Sequence, residues 1–215
     1  MSPQKQKDVL TQEAIKEAEI IAGVPTRILF ADGYWTGFKK ASQAELLDLM
    51  NSHMEYRPRS LCELDQSFKQ IIPYFLVKNT EGKYLFSKRK NSGGDSRAHN
   101  FALIGFGGHL RKTDVEGREM NEWLKREFEE EISAERINGV DFAGIVNYDG
   151  DELDGINKYH FGLIFVVSIE GQADVLETDK FEKGQMLTVE ELQRKNDASL
   201  ETWSKIILDE YLSRN

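Results

Sequence analysis

Cysteine is nearly absent: Cys62 is the single thiol in 215 residues. That excludes an internal disulfide and fits a reducing compartment. No nucleophile signature surrounds it, so it reads as a small, partly buried apolar side chain. Long hydrophobic runs are missing too. The longest, residues 161–167 with Gly162 inside, is far too short to span a bilayer. The N-terminal MSPQKQKDVL contains no apolar signal region. The expectation is a cytoplasmic protein without membrane association. Positive charge is scarce, with 28 Lys and Arg against 37 Asp and Glu and a formal charge of −9. This argues against stable nucleic-acid binding, which Lys and Arg drive. A few local basic residues and a metal can still hold a small phosphorylated ligand. Repeats and low-complexity segments are lacking as well.

What is present is an ordinary globular composition, 40% hydrophobic and 30% charged, in a chain long enough for a substantial core. Residues 11–22 have a helical pattern that Val24-Pro25 ends, residues 27–30 read as a short strand, and Asp32-Gly33 as a turn. Ser42-x-x-Glu45 is a capping box opening a helix over 43–54. Pro58 and the polar stretch up to Gln70 mark a boundary between an N-terminal extension, 1–65, and a main domain, 66–215. The extension is expected to be a small α+β piece that packs on the main sheet or pairs two subunits as a homodimer.

Beyond the boundary strands alternate with helices. Segments 71–78 and 83–88 flank Asn79-Thr80-Glu81-Gly82, a hairpin by turn composition. A polar loop, 91–100, leads to a strand over 101–106, the Gly107-Gly108 turn, a loop and an acidic helix. Segments 139–148 and 158–169 read as longer strands separated by the acidic loop 149–155, with a short strand at 173–176. Thr188-x-x-Glu191 is another capping box, and 199–213 form an amphipathic helix containing Trp203, Ile206, Ile207 and Leu208. The pattern predicts an α/β fold, a mixed sheet with helices on both faces.

The acidic helix carries the chemistry. At about 100° per residue, Met120, Leu124, Phe128 and Ile132 form one apolar stripe. Glu127 and Glu131 point into that stripe and Glu130 sits at its edge beside Trp123. Glu122, Lys125, Arg126 and Glu129 make the solvated face. Carboxylates at i, i+3 and i+4 repel one another by roughly 0.2–0.5 kcal/mol per pair when exposed. Taking each out of water costs several kcal/mol more. A cation must neutralise them, and a divalent metal does so best, since Mg²⁺ takes one or two carboxylates and completes its octahedron with waters and phosphate oxygens. The plain alternative is an acidic face paired with Lys or Arg from a neighbouring element.

Arg126, Glu127, Phe128, Glu130 and Glu131, following a strand, the Gly107-Gly108 turn and a loop, resemble the second half of the Nudix box, G-x5-E-x7-R-E-U-x-E-E-x-G-U with U apolar. The resemblance spans about residues 70–213 and implies a Nudix-like α/β/α sandwich. The implied reaction is metal-dependent hydrolysis of a diphosphate linkage in a nucleoside diphosphate derivative or related small phosphorylated metabolite. By the same resemblance Glu127, Glu130 and Glu131 bind one or more Mg²⁺ or Mn²⁺, and a backbone carbonyl of Gly107 or Gly108 adds a ligand. Arg126 holds the glutamates by a salt bridge, and Glu127 or Glu130 serves as base. Family members often use a further loop glutamate, for which Glu182 is the first candidate, then Glu152 and Glu177.

The first half of the box departs from the pattern. Counting back from Arg126, its glutamate falls on Arg118 and its glycine on Lys112. Glu119 is one place away, the loop 109–116 reads as lengthened, and Ser133 replaces the closing glycine. These departures motivate a second reading, a non-catalytic module that binds a nucleotide or sugar nucleotide. A third, a diphosphate isomerase of the same fold, needs a pocket cysteine, and Cys62 precedes the matching region. Lys88, Arg89 and Arg97 lie where they can reach substrate phosphates. His160, in an apolar strand, reads as a hydrogen-bonded core histidine.

Overall fold

Two long apolar strands set the architecture of this computed structural model, which describes residues 19–90, 101–150, 156–195 and 200–214. The strands are β1 (Ile20–Pro25), β2 (Gly37–Lys39), β3 (Glu55–Pro58), β4 (Phe68–Asn79), β5 (Tyr84–Lys88), β6 (Ala102–Leu103), β7 (Ile132–Asn147), β8 (His160–Val175) and β9 (Gln185–Leu187). The helices are α1 (Thr26–Leu29), α2 (Gln43–His53), α3 (Arg59–Cys62), α4 (Lys112–Val115), α5 (Met120–Glu131), α6 (Val189–Arg194) and α7 (Thr202–Glu210).

β4 and β8 run parallel, from Gln70 against His160 to Asn79 against Ile169, and are buried almost throughout. Near-continuous Ile, Leu, Val and Phe is what a strand covered on both faces requires. The other pairings are antiparallel, in the order β2-β7-β8-β4-β1-β3, with β5 branching from β4 and carrying β6 and β9. Alternate residues feed two cores. Ile71, Phe75, Phe165 and Val167 meet Trp123, Leu124 and Phe128 of α5 on one face. Ile72, Tyr74, Ile164 and Val166 meet Trp203, Ile207 and Leu208 of α7 on the other. This is the mixed sheet between helices that the sequence predicts.

Local signals hold where turn chemistry decides. Asn79 Oδ1 accepts from the backbone N–H groups of Glu81 and Lys83, and Gly82 takes a positive φ of 77°, closing the hairpin. Ser42 and Thr188 cap α2 and α6 by accepting from Glu45 and Glu191 N–H.

The leading segment differs from expectation. Of the helix expected over 11–22, residues 11–18 lie outside the described residues, while Ile20–Pro25 is a strand. Ile20, Ile21 and Val24 favour strand, and pairing with both β3 and β4 decides against the helical period. Residues 27–30, expected as a strand, instead fall on the helical turn Thr26–Leu29 and its C-cap Phe30, and Ile28, Leu29 and Phe30 pack on the first core. The strand expected over 101–106 shrinks to Ala102–Leu103, and Phe106 alone bridges back to Phe75. Residues 173–175 are the tail of β8 rather than a separate strand.

Cys62 is buried beside Ile21 and Phe68, and desolvation pushes its thiol up to about 11, so it packs rather than reacts. No helix among the described residues is long and apolar enough to cross a membrane.

Candidate active site

The site begins at a turn pinned to the central strand. Phe106 exchanges two backbone hydrogen bonds with Phe75, at 2.8 and 3.1 Å. The next residue, Gly107, runs so close to β4 that a Cβ would lie 1.9 Å from the Pro73 carbonyl oxygen. Only glycine fits there. Behind the turn, Ala22 N–H of β1 donates to the Leu110 carbonyl at 2.7 Å, so the leading segment braces the loop.

Gly108 faces α5. A Cβ built on it would sit 3.2 Å from Glu127 Oε2 and 3.3 Å from Glu131 Oε1. The two carboxylates that the helical period places on the apolar stripe therefore converge on the glycine turn. Glu127 is 3% exposed. Desolvation raises its carboxyl to about 7, with Arg126 opposing and Glu130 and Asp114 adding to the rise. Glu131 is likewise raised to about 7, first by burial and then by Glu177, against the lowering effect of Lys180 and Arg89. Glu130 points outward and is exposed.

Arg126 reaches Glu127, Glu130 and Asp114, the last at 2.5 Å. It ties the glutamates together, as the resemblance implies. Asp114 is buried, and sequence reasoning missed it. It lies in the spacing Gly108-x5-Asp114, which is that of G-x5-E with the shorter acid. Counting back from Arg126 hid it because the next spacer holds eleven residues, 115–125, where the pattern has seven. The extra length thus follows Asp114, at the positive-φ turn of Gly117, and not in 109–113. Arg111, also unremarked in the sequence, forks between Asp114 and Glu130.

A basic flank adjoins Glu131. The Arg89 guanidinium lies 4.7 Å from the centre of the Phe181 ring, and Lys180 pairs with Glu177. Arg89 was a sequence candidate. Lys180 was not, because nothing local shows that loop 177–181 returns to the end of β5. Lys88 sits on β5, where its carbonyl accepts from Glu182 N–H at 2.8 Å. The Glu182 side chain is exposed and its own carbonyl accepts from Ser87 Oγ. Glu177, not Glu182, is the loop acid whose charge acts on Glu131. Arg97 and Glu152 lie outside the described residues. His160 is buried, with its Nε2 3.2 Å from His109 Nε2 and its ring against Trp203.

Among the described residues, no three His, Cys, Asp or Glu side chains gather at one point in the present rotamers. The donor set nevertheless fits a hard divalent cation: carboxylate oxygens of buried Glu127 and half-buried Glu131 face a glycine whose missing side chain leaves the space between them. Both carboxyls are raised above the ordinary 4.5, so their stabilising neutral forms are full below about pH 4.5 and lost as pH rises through about 7. In EDTA the melting temperature should therefore fall between about pH 5 and 8, and Mg²⁺ should restore it at pH 8. A flat melting profile by scanning fluorimetry would contradict this.

A central mixed sheet, a glycine turn and a helix whose Glu127 and Glu130 are bridged by Arg126 define a Nudix-type protein. Comparison with known proteins agrees. Tm1382, a candidate Nudix hydrolase of known crystal structure, superposes with a TM-score of 0.77 at 26% identity, over 92% of this chain and all of that one. Protein YmaB of Bacillus subtilis (strain 168) is 32% identical over 176 residues, covering 77% of this chain and 82% of its own length. The MutT protein of Methanosarcina mazei Go1 aligns at 19% identity over 68% of this chain and 94% of its own, with a TM-score of 0.47. No family model matches. The chain belongs to the Nudix superfamily, in one family with YmaB.

Proposed function

We propose that the protein hydrolyses a diphosphate linkage in a nucleoside diphosphate derivative or related small phosphorylated metabolite, with Mg²⁺ or Mn²⁺ held by Glu127 and Glu131, by Glu130 once it turns inward, and by a carbonyl of Gly107 or Gly108. The observation that carries this reading is the convergence of the buried Glu127 and half-buried Glu131 carboxylates on the glycine turn. When bound, such an ion withdraws charge from the phosphate oxygens and lowers the pKa of water. The protein's own groups do the rest. Arg89 and Lys180 offset the charge of the diphosphate on the flank beside Glu131. Arg126 keeps Glu127 oriented toward Gly108. Glu177, through a carboxylate oxygen, accepts the proton released by the attacking water. Asp114 in the place of the box glutamate removes the main reason for a binding-only module.

Screening nucleoside diphosphate derivatives for phosphate-ester products with Mg²⁺, with Mn²⁺ and with EDTA tests the proposal. Tight binding of a substrate with no metal-dependent product over hours would refute it. Within the same reading, Arg89→Ala should raise KM about tenfold with kcat within about threefold, the loss of one charged hydrogen bond. A change confined to kcat would place Arg89 elsewhere in the cycle.

A further inference from the structure

Arg111 falls in the five-residue spacer between Gly108 and Asp114, yet it closes a ring of alternating charge. Its backbone N–H and Nε donate to Asp114 Oδ2 at 3.1 and 2.9 Å, and one terminal nitrogen reaches both oxygens of Glu130 at 2.9 and 3.1 Å. Arg126 completes the circuit by touching Asp114 and Glu130 from the other side. The main chain of Arg111 is itself fixed by a bridge to Ile21 of β1. Glu130 thus has both oxygens turned to guanidinium groups and away from the space before Gly108, where Glu127 and Glu131 converge.

The two ends of the Arg111 fork differ. The Asp114 side chain is 7% exposed, while that of Glu130 is 50% exposed. Contact with the buried acid is an anchor, whereas the half-exposed pair is weak and surrendered easily. We propose that Arg111 is a positioning residue that competes with a divalent cation for Glu130: it holds the carboxylate outward in the metal-free protein and yields it when the ion binds. The inference rests on the metal-dependent reading above and adds to it a residue that sets ion affinity.

Mn²⁺ titration of the full chain, read from the free-ion electron paramagnetic resonance signal, tests this without substrate or turnover. Arg111→Met should lower the Mn²⁺ dissociation constant about three- to tenfold. Arg111→Lys keeps the charge but cannot fork between two carboxylates, so it should share the gain; it also keeps the test open if the methionine variant does not fold. In a Glu130→Gln background the gain should vanish. Unchanged or weaker binding in both Arg111 variants, or a gain that persists in full beside Glu130→Gln, would overturn the positioning role while leaving the hydrolase reading intact. Failure of the unaltered protein to bind Mn²⁺ at millimolar concentration would overturn both.

Discussion

Glu127→Gln is expected to leave the protein folded and to lower metal-dependent kcat by about a thousandfold or more, the loss of several kcal/mol of charge stabilisation. The side chain is buried at 3% exposure in a site that already raises its carboxyl to about 7. A neutral amide of the same shape removes a poorly solvated charge, so the melting temperature should hold or rise even as turnover disappears. Glu129→Gln is the control. Glu129 is exposed on the opposite face of the same helix, with its carboxylate 3.8 Å from Lys125, and its loss should change neither quantity measurably. Activity within tenfold of the unaltered protein in Glu127→Gln, measured at saturating Mg²⁺, would remove this residue from the machinery.

The second large effect separates the two glycines of the turn. Gly107→Ala forces a methyl to 1.9 Å from the Pro73 carbonyl oxygen, which belongs to the central strand and cannot move aside. The turn must shift instead, and a displacement near 1 Å at a reacting centre costs about a hundredfold in rate. Both melting temperature and kcat should drop. Gly108→Ala places its methyl 3.2 and 3.3 Å from the ends of two flexible side chains, which can retreat. The fold should therefore survive, while Mg²⁺ affinity falls because the methyl occupies the space where the carboxylates meet. Equal melting temperatures for the two variants would show that Gly107 is not held against β4 as described.

How much of this was legible in the sequence depends on the range of the interaction. The α5 stripe and its misplaced acids follow from a period of a few residues, and the helix forms with Trp123, Leu124 and Phe128 inward and Glu127 among them. The Asn79–Gly82 hairpin and the Ser42 and Thr188 caps are likewise local. Residues 20–25 were not legible, because their strand state comes from partners more than thirty positions away, Tyr56 and Lys69 among them. Asp114 was within reach, since its spacing from Gly108 is intact, but counting back from Arg126 crossed the longer spacer 115–125. Lys180 and Glu177 were out of reach as a pair beside Glu131. They come together only because β9 folds back on β5 and brings the preceding loop to Arg89.

One consequence concerns the route by which damage would spread. β1 sits sandwiched between β4 and β3, and the hydrogen bond from Ala22 to Leu110 fastens the loop after the glycine turn to residues nearly ninety positions earlier. Clipping away residues 1–65 would strip β4 of its neighbour and take the backstop from the loop that bears Gly108. Lesions near the front of this protein would thus be felt first as failing chemistry, before the bulk of the molecule came apart.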